Sequence, residues 1–171
     1  MPDQSQGDEQ LLHHLDGVYR FAMRLTKSDR EWAEDITQET MLRALASERE
    51  GRGGRSLKTW LYTVARNVWL DVLRREVVRR KVASRHPVES VPSQAVPVER
   101  TAMLTEEVEL RLSDLDQLPD RQRSVLYLAA CEELDNHEIA SVLNISPQAV
   151  KASLCVARQR IRKSQEVSTP K

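Results

Sequence analysis

Apolar residues recur at three- and four-residue intervals along most of this chain, the period of a helix with one buried stripe. Leu11, Leu15, Val18, Tyr19, Ala22 and Leu25 mark the first such helix. Ser28-Asp29-Arg30-Glu31 reads as a capping box, with Ser28 as N-cap and Glu31 three residues on, and predicts the start of the second. The stripe of that helix is Ala33, Ile36, Thr37, Thr40, Met41, Ala44 and Leu45, and the pattern stops near Glu50. Its other face reads Asp35, Gln38, Glu39, Leu42 and Arg43, a large apolar residue set among charges. The run Gly51 to Gly54 predicts a flexible basic loop. Ser56 is placed to cap a third helix, whose stripe is Leu57, Trp60, Leu61, Val64, Ala65, Val68 and Val72 and which runs on past Arg80.

Pro87, Pro92 and Pro97 then punctuate a stretch without regular period, a linker by its composition. Helical spacing resumes at Leu104, Val108, Leu112 and Leu115. Pro119 resets the chain near the start of a helix carrying Val125, Leu126, Leu128 and Ala129. The last stretch is the most legible. Asp135 and Glu138 form a capping box for a short helix that buries Ile139, Ala140 and Leu143. Asn144 suits a left-handed turn, Ile145 plugs the corner, Ser146 caps a new helix and Pro147 takes its first position. Val150, Leu154, Ala157 and Ile161 give that helix its buried stripe, so the pair is a helix-turn-helix. No strand alternation of useful length occurs. The predicted fold is all-α: a helical bundle over residues 10–83, a linker over 84–98 and a second helical domain over 99–165.

The 171 residues carry no net charge, which hides a segregation. From Arg52 to Arg85 ten bases face two acids, and from Glu89 to Asp116 seven acids face two bases. Pro147 to Lys163 holds five bases and no acid. Two basic blocks flanking an acidic one suit two separate polyanion contacts, or equally two solvated helix faces. In the helix-turn-helix the second helix exposes Gln148, Lys151, Ala152, Cys155, Arg158, Gln159 and Arg162. Its N-terminal residues would meet base edges in the major groove, with Gln148 reading a base and Lys151, Arg158 and Arg162 holding phosphates. A helical hairpin inside a protein-binding bundle is the alternative; the agreement of caps, turn residue and basic face favours DNA.

No chemistry of an enzyme is legible. His13, His14, His86 and His137 lack metal-ligand spacing, and no phosphate-binding glycine motif or nucleophile elbow occurs. Cys131 and Cys155 form no metal motif, and a reduced, cytoplasmic chain is the simple expectation. No signal-like N-terminus and no apolar run long enough to insert in a membrane is present. No cofactor is expected.

Three stretches in this order, Trp32 to Leu45, Thr59 to Arg75 and Leu118 to Leu128 before the helix-turn-helix, resemble the group IV, or extracytoplasmic-function (ECF), sigma factors of bacterial RNA polymerase. The resemblance spans about residues 10–163. It implies a sigma-2 domain, a linker and a sigma-4 domain, and a chain that binds core polymerase and directs it to promoters. Asp35, Gln38, Glu39, Leu42 and Arg43 match the face that docks on the β′ clamp helices, which gives the exposed leucine its use: Leu42 supplies buried area and the charges orientation. The loop from Glu50 to Ser56, with Arg52, Arg55 and Ser56, matches the segment that captures a flipped minus-ten base. Asn67 matches a position near the opened bases. Arg66, Arg74 and Arg75 would neutralise separated strands, and Tyr62 and Trp69 would offer stacking faces, whereas Trp60 reads as core. Ser146, Gln148, Lys151, Ala152, Cys155, Arg158 and Arg162 would face the minus-thirty-five element, and the same domain would meet the β flap tip. Where the family usually carries Ser-Arg-Leu, this chain has Ala152-Ser153-Leu154, so one DNA-contacting arginine is missing. An anti-sigma partner is expected. The competing reading is a stand-alone helix-turn-helix regulator, which leaves the N-terminal motifs idle.

Overall fold

The computed structural model describes residues 4–47, 56–83 and 117–167. Six α-helices make up these segments: α1 Gln4–Leu25, α2 Arg30–Ser47, α3 Leu57–Ala83, α4 Asp120–Ala130, α5 Asn136–Leu143 and α6 Pro147–Val167. No strand occurs among the described residues. The basic loop with Arg52 and Arg55, the proline-rich linker and the Leu104 to Leu115 pattern lie outside them.

Helices α1, α2 and α3 pack on one another as an N-terminal module. Val18, Phe21, Ala22, Ala33, Ile36, Leu61 and Ala65 are buried at its centre. The turn from α1 to α2 departs from the sequence expectation by one residue. Asp29, not Ser28, caps α2: its Oδ1 accepts the Trp32 N–H at 3.2 Å. Ser28 is instead drawn into the stop of α1, where its N–H donates to the Met23 carbonyl at 2.8 Å and its φ is 69°. Lys27 beside it has φ 55°, so two residues without glycine's freedom hold the left-handed region to end α1 abruptly. Ser56 does cap α3, accepting the Thr59 N–H at 3.2 Å.

Two leucines leave their expected stripes. Leu15 of α1 and Leu45 of α2 are exposed. Leu45 stands three residues from Leu42, so both lean to the same outer side of α2.

Helices α4, α5 and α6 form the C-terminal module around Val125, Leu128, Ile139, Val142, Val150 and Ala157. Its turn chemistry follows the sequence closely. Asp135 accepts from the His137 and Glu138 amides, and Glu138 reaches back to the Asp135 N–H at 3.0 Å. Asn144 takes the left-handed position, φ 49° and ψ 52°. Ser146 accepts the Ala149 N–H at 3.2 Å, and α6 leaves α5 at a bend of 100°. No single helix among the described residues is long and apolar enough to cross a membrane.

The modules pack directly on each other: α4 lies against α1, and α5 against α3. The contact is polar as well as apolar. Arg123 of α4, 1% exposed, donates through Nε to the Arg24 carbonyl in the last turn of α1 at 2.8 Å. It also donates to the Leu118 carbonyl at 3.2 Å and to Asp120 at 2.7 Å. A guanidinium thus serves a helix end whose carbonyls lack intrahelical donors.

Candidate nucleic-acid interface

The exposed basic face of the C-terminal module lies on α6. Its first turn is fixed by Ser146 and Pro147, and its buried stripe by Val150, Leu154 and Ala157. That geometry turns Gln148, Lys151, Ala152, Cys155, Arg158 and Arg162 outward, all exposed, as the period predicts. Ser146 is exposed at their N-terminal edge, with its hydroxyl committed to the cap. Lys151, Cys155, Arg158 and Arg162 line a shallow concavity completed by Asn136 at the start of α5. Asn136 is a polar group that the sequence pattern did not single out. The set carries three cations and no carboxylate, so it suits a phosphate backbone. Cys155 lies in this basic face, with the Gln159 amide 3.8 Å from its sulfur.

On the N-terminal module the α2 face is open. Asp35, Gln38, Leu42 and Arg43 are exposed and Glu39 is half-buried; Leu42 is 55% exposed. Glu39 and Arg43 pair at 2.7 Å across one helical turn. The pair fixes two charges beside Leu42, and Leu45 widens the apolar area. The inner side of α2 consists of Ala33, Ile36, Thr37, Thr40 and Ala44. Both threonine hydroxyls bond back within the helix, Thr37 to Ala33 and Thr40 to Ile36, each at 2.7 Å.

The α3 set divides. Asn67, Arg74 and Arg75 are exposed, and Arg74 is held by Asp71 at 2.7 Å. Arg66 is half-buried; burial, then the Arg74 charge, hold its guanidinium below the usual value. Ser56 is exposed at the start of the helix. Tyr62 is a correction. It is 1% exposed, edge-on to Phe21 with centroids 5.3 Å apart, and offers no stacking face in this arrangement. The reason is that α3 is covered on two sides, by α1 and α2 within its own bundle and by the C-terminal module, where one apolar stripe anticipates only the first. Trp60 and Trp69 are both half-buried. Trp69 borders the inter-module crevice, with Arg66 and Ile145, and also an outer groove with Trp32 and Val77.

Beneath Tyr62 lies a buried carboxylate. Glu132, in the turn after α4, accepts from the Tyr127 hydroxyl at 3.0 Å. Lys58 of α3 donates to its backbone carbonyl at 2.5 Å and stands 3.3 Å from its Oε2. Burial first, then Glu132, push the Tyr62 phenol far above the ordinary tyrosine value, and Tyr127 behaves alike.

Comparison with known proteins agrees with this arrangement. Residues 11–79 match the family Sigma-70 region 2, and residues 115–161 match Sigma-70, region 4. The chain is 33% identical over 155 residues to the ECF RNA polymerase sigma factor SigM of Bacillus subtilis, covering 91% of this chain and 92% of that one. It is 35% identical over 151 residues to the ECF sigma factor SigL of Mycobacterium tuberculosis, covering 87% and 82%. Its fold is similar to that of the sigma factor RpoE of Bartonella quintana, solved with the anti-sigma factor NepR, with a TM-score of 0.72, 23% identity, and coverage of 95% and 98%. With region 2 built from α1 to α3 and region 4 ending in the helix-turn-helix, the chain belongs to the ECF sigma factors of the sigma-70 family.

Proposed function

We propose that this chain binds core RNA polymerase through α2, reads the minus-thirty-five element through α6, and uses α3 at the minus-ten element to nucleate melting. The observation that carries the reading is the α2 face: a large leucine, 55% exposed, set between a fixed ion pair and further charges on a region 2 helix. An interface places apolar area at its centre and charge at its rim, the arrangement of this face. The division of labour is a region 2 module over 10–83, a linker over 84–98 and a region 4 module over 99–165. The flap of the β subunit is the second polymerase contact. The minus-ten set is Arg52, Arg55, Ser56, Arg66, Asn67, Arg74 and Arg75. The chain works in the cytoplasm without cofactor and performs no covalent chemistry. An anti-sigma partner holds it inactive by covering these faces.

Run-off transcription with purified core polymerase on genomic upstream fragments tests the reading. Specific transcripts that require this chain and vanish with Leu42→Asp are the expected result. Duplex DNA binding with no polymerase-dependent transcripts would replace it with a stand-alone regulator.

A further inference from the structure

The outward line of α6 differs in chemistry from its flanks. With about 3.6 residues to a turn, Gln148, Ala152, Cys155 and Gln159 stand opposite the buried stripe of Val150, Leu154 and Ala157. All four are exposed and none carries a charge. The cations stand to either side. Lys151, Arg158 and Arg162 follow one flank, along the concavity with Asn136. Arg160 and Lys163, also exposed, follow the other. Cys155 and Val156 stand three and four residues on from Ala152, so each is its neighbour on the helix surface. Val156 is 39% exposed, and the three short side chains make one apolar patch beyond the glutamine.

This sorting fits one kind of groove. Flanking cations suit the phosphates that border it, and a neutral line suits base edges on its floor. In the major groove guanine offers two acceptors, which arginine or lysine grips. Adenine sets an acceptor beside an amino donor, which a glutamine amide matches. Thymine adds a C5-methyl group, which an apolar side chain covers. A helix-turn-helix presents the first turns of its second helix to these edges, and Gln148, Ala152 and Cys155 occupy the first turns of α6. Alanine and cysteine are short enough for the helix to approach the floor closely, and a cysteine packs as a small apolar group. We propose that α6 reads A·T pairs: Gln148 pairs with an adenine edge, while Ala152, Cys155 and Val156 pack on thymine methyl groups. This rests on the assignment of α6 to the minus-thirty-five duplex and names the bases that it selects there.

The test selects duplexes from a random pool with the full chain, once alone and once bound to core polymerase. The enriched upstream element should contain adenine and thymine at fixed positions. Each thymine of that element is then replaced by deoxyuridine, which removes the C5-methyl and keeps every hydrogen-bonding group. Fluorescence anisotropy should show about fourfold weaker binding at one or two positions, the effect of one buried methyl group. Ala152→Ser and Cys155→Ser place a hydroxyl in the patch, and circular dichroism first confirms their helical content. In the variant whose residue covers the methyl, the deoxyuridine penalty should shrink below twofold. Gln148→Ala should relax selection at the adenine and leave the penalty in place. A penalty that persists in both serine variants would assign the methyl effect to DNA shape and overturn the contact. No penalty at any thymine, or an element of G·C pairs alone, would overturn it too; run-off transcription that still requires the chain would then leave the sigma reading standing. Enrichment of no duplex, with or without polymerase, would remove the inference and the DNA assignment of α6 together.

Discussion

Replacing Arg123 by methionine isolates what the buried guanidinium does. Methionine keeps most of the volume and removes every donor. Of the three bonds to described residues, the one to Asp120 is readily replaced by water, because that carboxylate is 73% exposed. The other two end on the Arg24 and Leu118 carbonyls, in residues that are themselves buried. Hydrogen bonds to a charged group contribute about 1.5–3 kcal/mol each, and an orphaned buried acceptor bears its full desolvation cost. The methionine recovers part of this because a buried cation no longer has to be desolvated. The expected net loss is about 3 kcal/mol, a fall in Tm of about 6–12 °C for a chain of this size. The assay has a built-in separation of signals. Trp32, Trp60 and Trp69, the chain's three tryptophans, all lie in the N-terminal module, whereas circular dichroism reports helices of both. In urea the two signals should coincide for the parent and part for Arg123→Met, because Arg123 ties α4 to the end of α1. A variant within about 0.5 kcal/mol of the parent, with coincident transitions, would refute the reasoning.

Three further outcomes follow from the geometry. Asn144→Ala should cost the C-terminal module about 1 kcal/mol in urea unfolding, since alanine is strained at φ 49°, while Asn144→Gly should be nearly neutral. The folded Tyr62 and Tyr127 phenols titrate above their ordinary value of 10.0, so the stability they contribute is full below pH 10 and is lost as pH rises beyond it. Ultraviolet difference absorbance should show their ionisation only as the chain unfolds, and Tyr127→Phe should flatten the alkaline fall. Lys151→Ala should weaken duplex binding across sequences and lower the salt slope of log K by about one, a change read by anisotropy titrations at several salt concentrations.

Local chemistry made the helix-turn-helix readable. Asp135, Glu138, Asn144, Ser146 and Pro147 each act within four residues of themselves, so spacing alone announces them. The α1–α2 turn shows where that logic slips: Ser28 and Asp29 are both competent caps, and the demand of α1 for a left-handed stop decides between them. Leu45 lies at the border of two helix faces, and only the packing of α2 assigns it outward. The junction was not legible. Glu132, Arg123 and Lys58 look like ordinary solvated charges in sequence, because their partners lie in the other module. Tyr62 departs from its expectation for the same reason: one periodic stripe describes one packed side, and α3 has two, its own bundle and the C-terminal module.

The small inner side of α2 has a bearing on how such proteins diversify. Thr37 and Thr40 satisfy their hydroxyls within their own helix and so present α1 and α3 with little more than methyl groups. Alanines and threonines there set α2 deep in the bundle, and Leu42 on its back inherits that depth. A bulkier residue inside would lift the whole helix and displace Leu42 with it, without touching any residue of the proposed docking face. The exposed face of α6 meets no such restraint, since it is backed by a different module. On the proposed assignments, a change inside α2 would therefore move the polymerase contact while leaving the α6 surface in place.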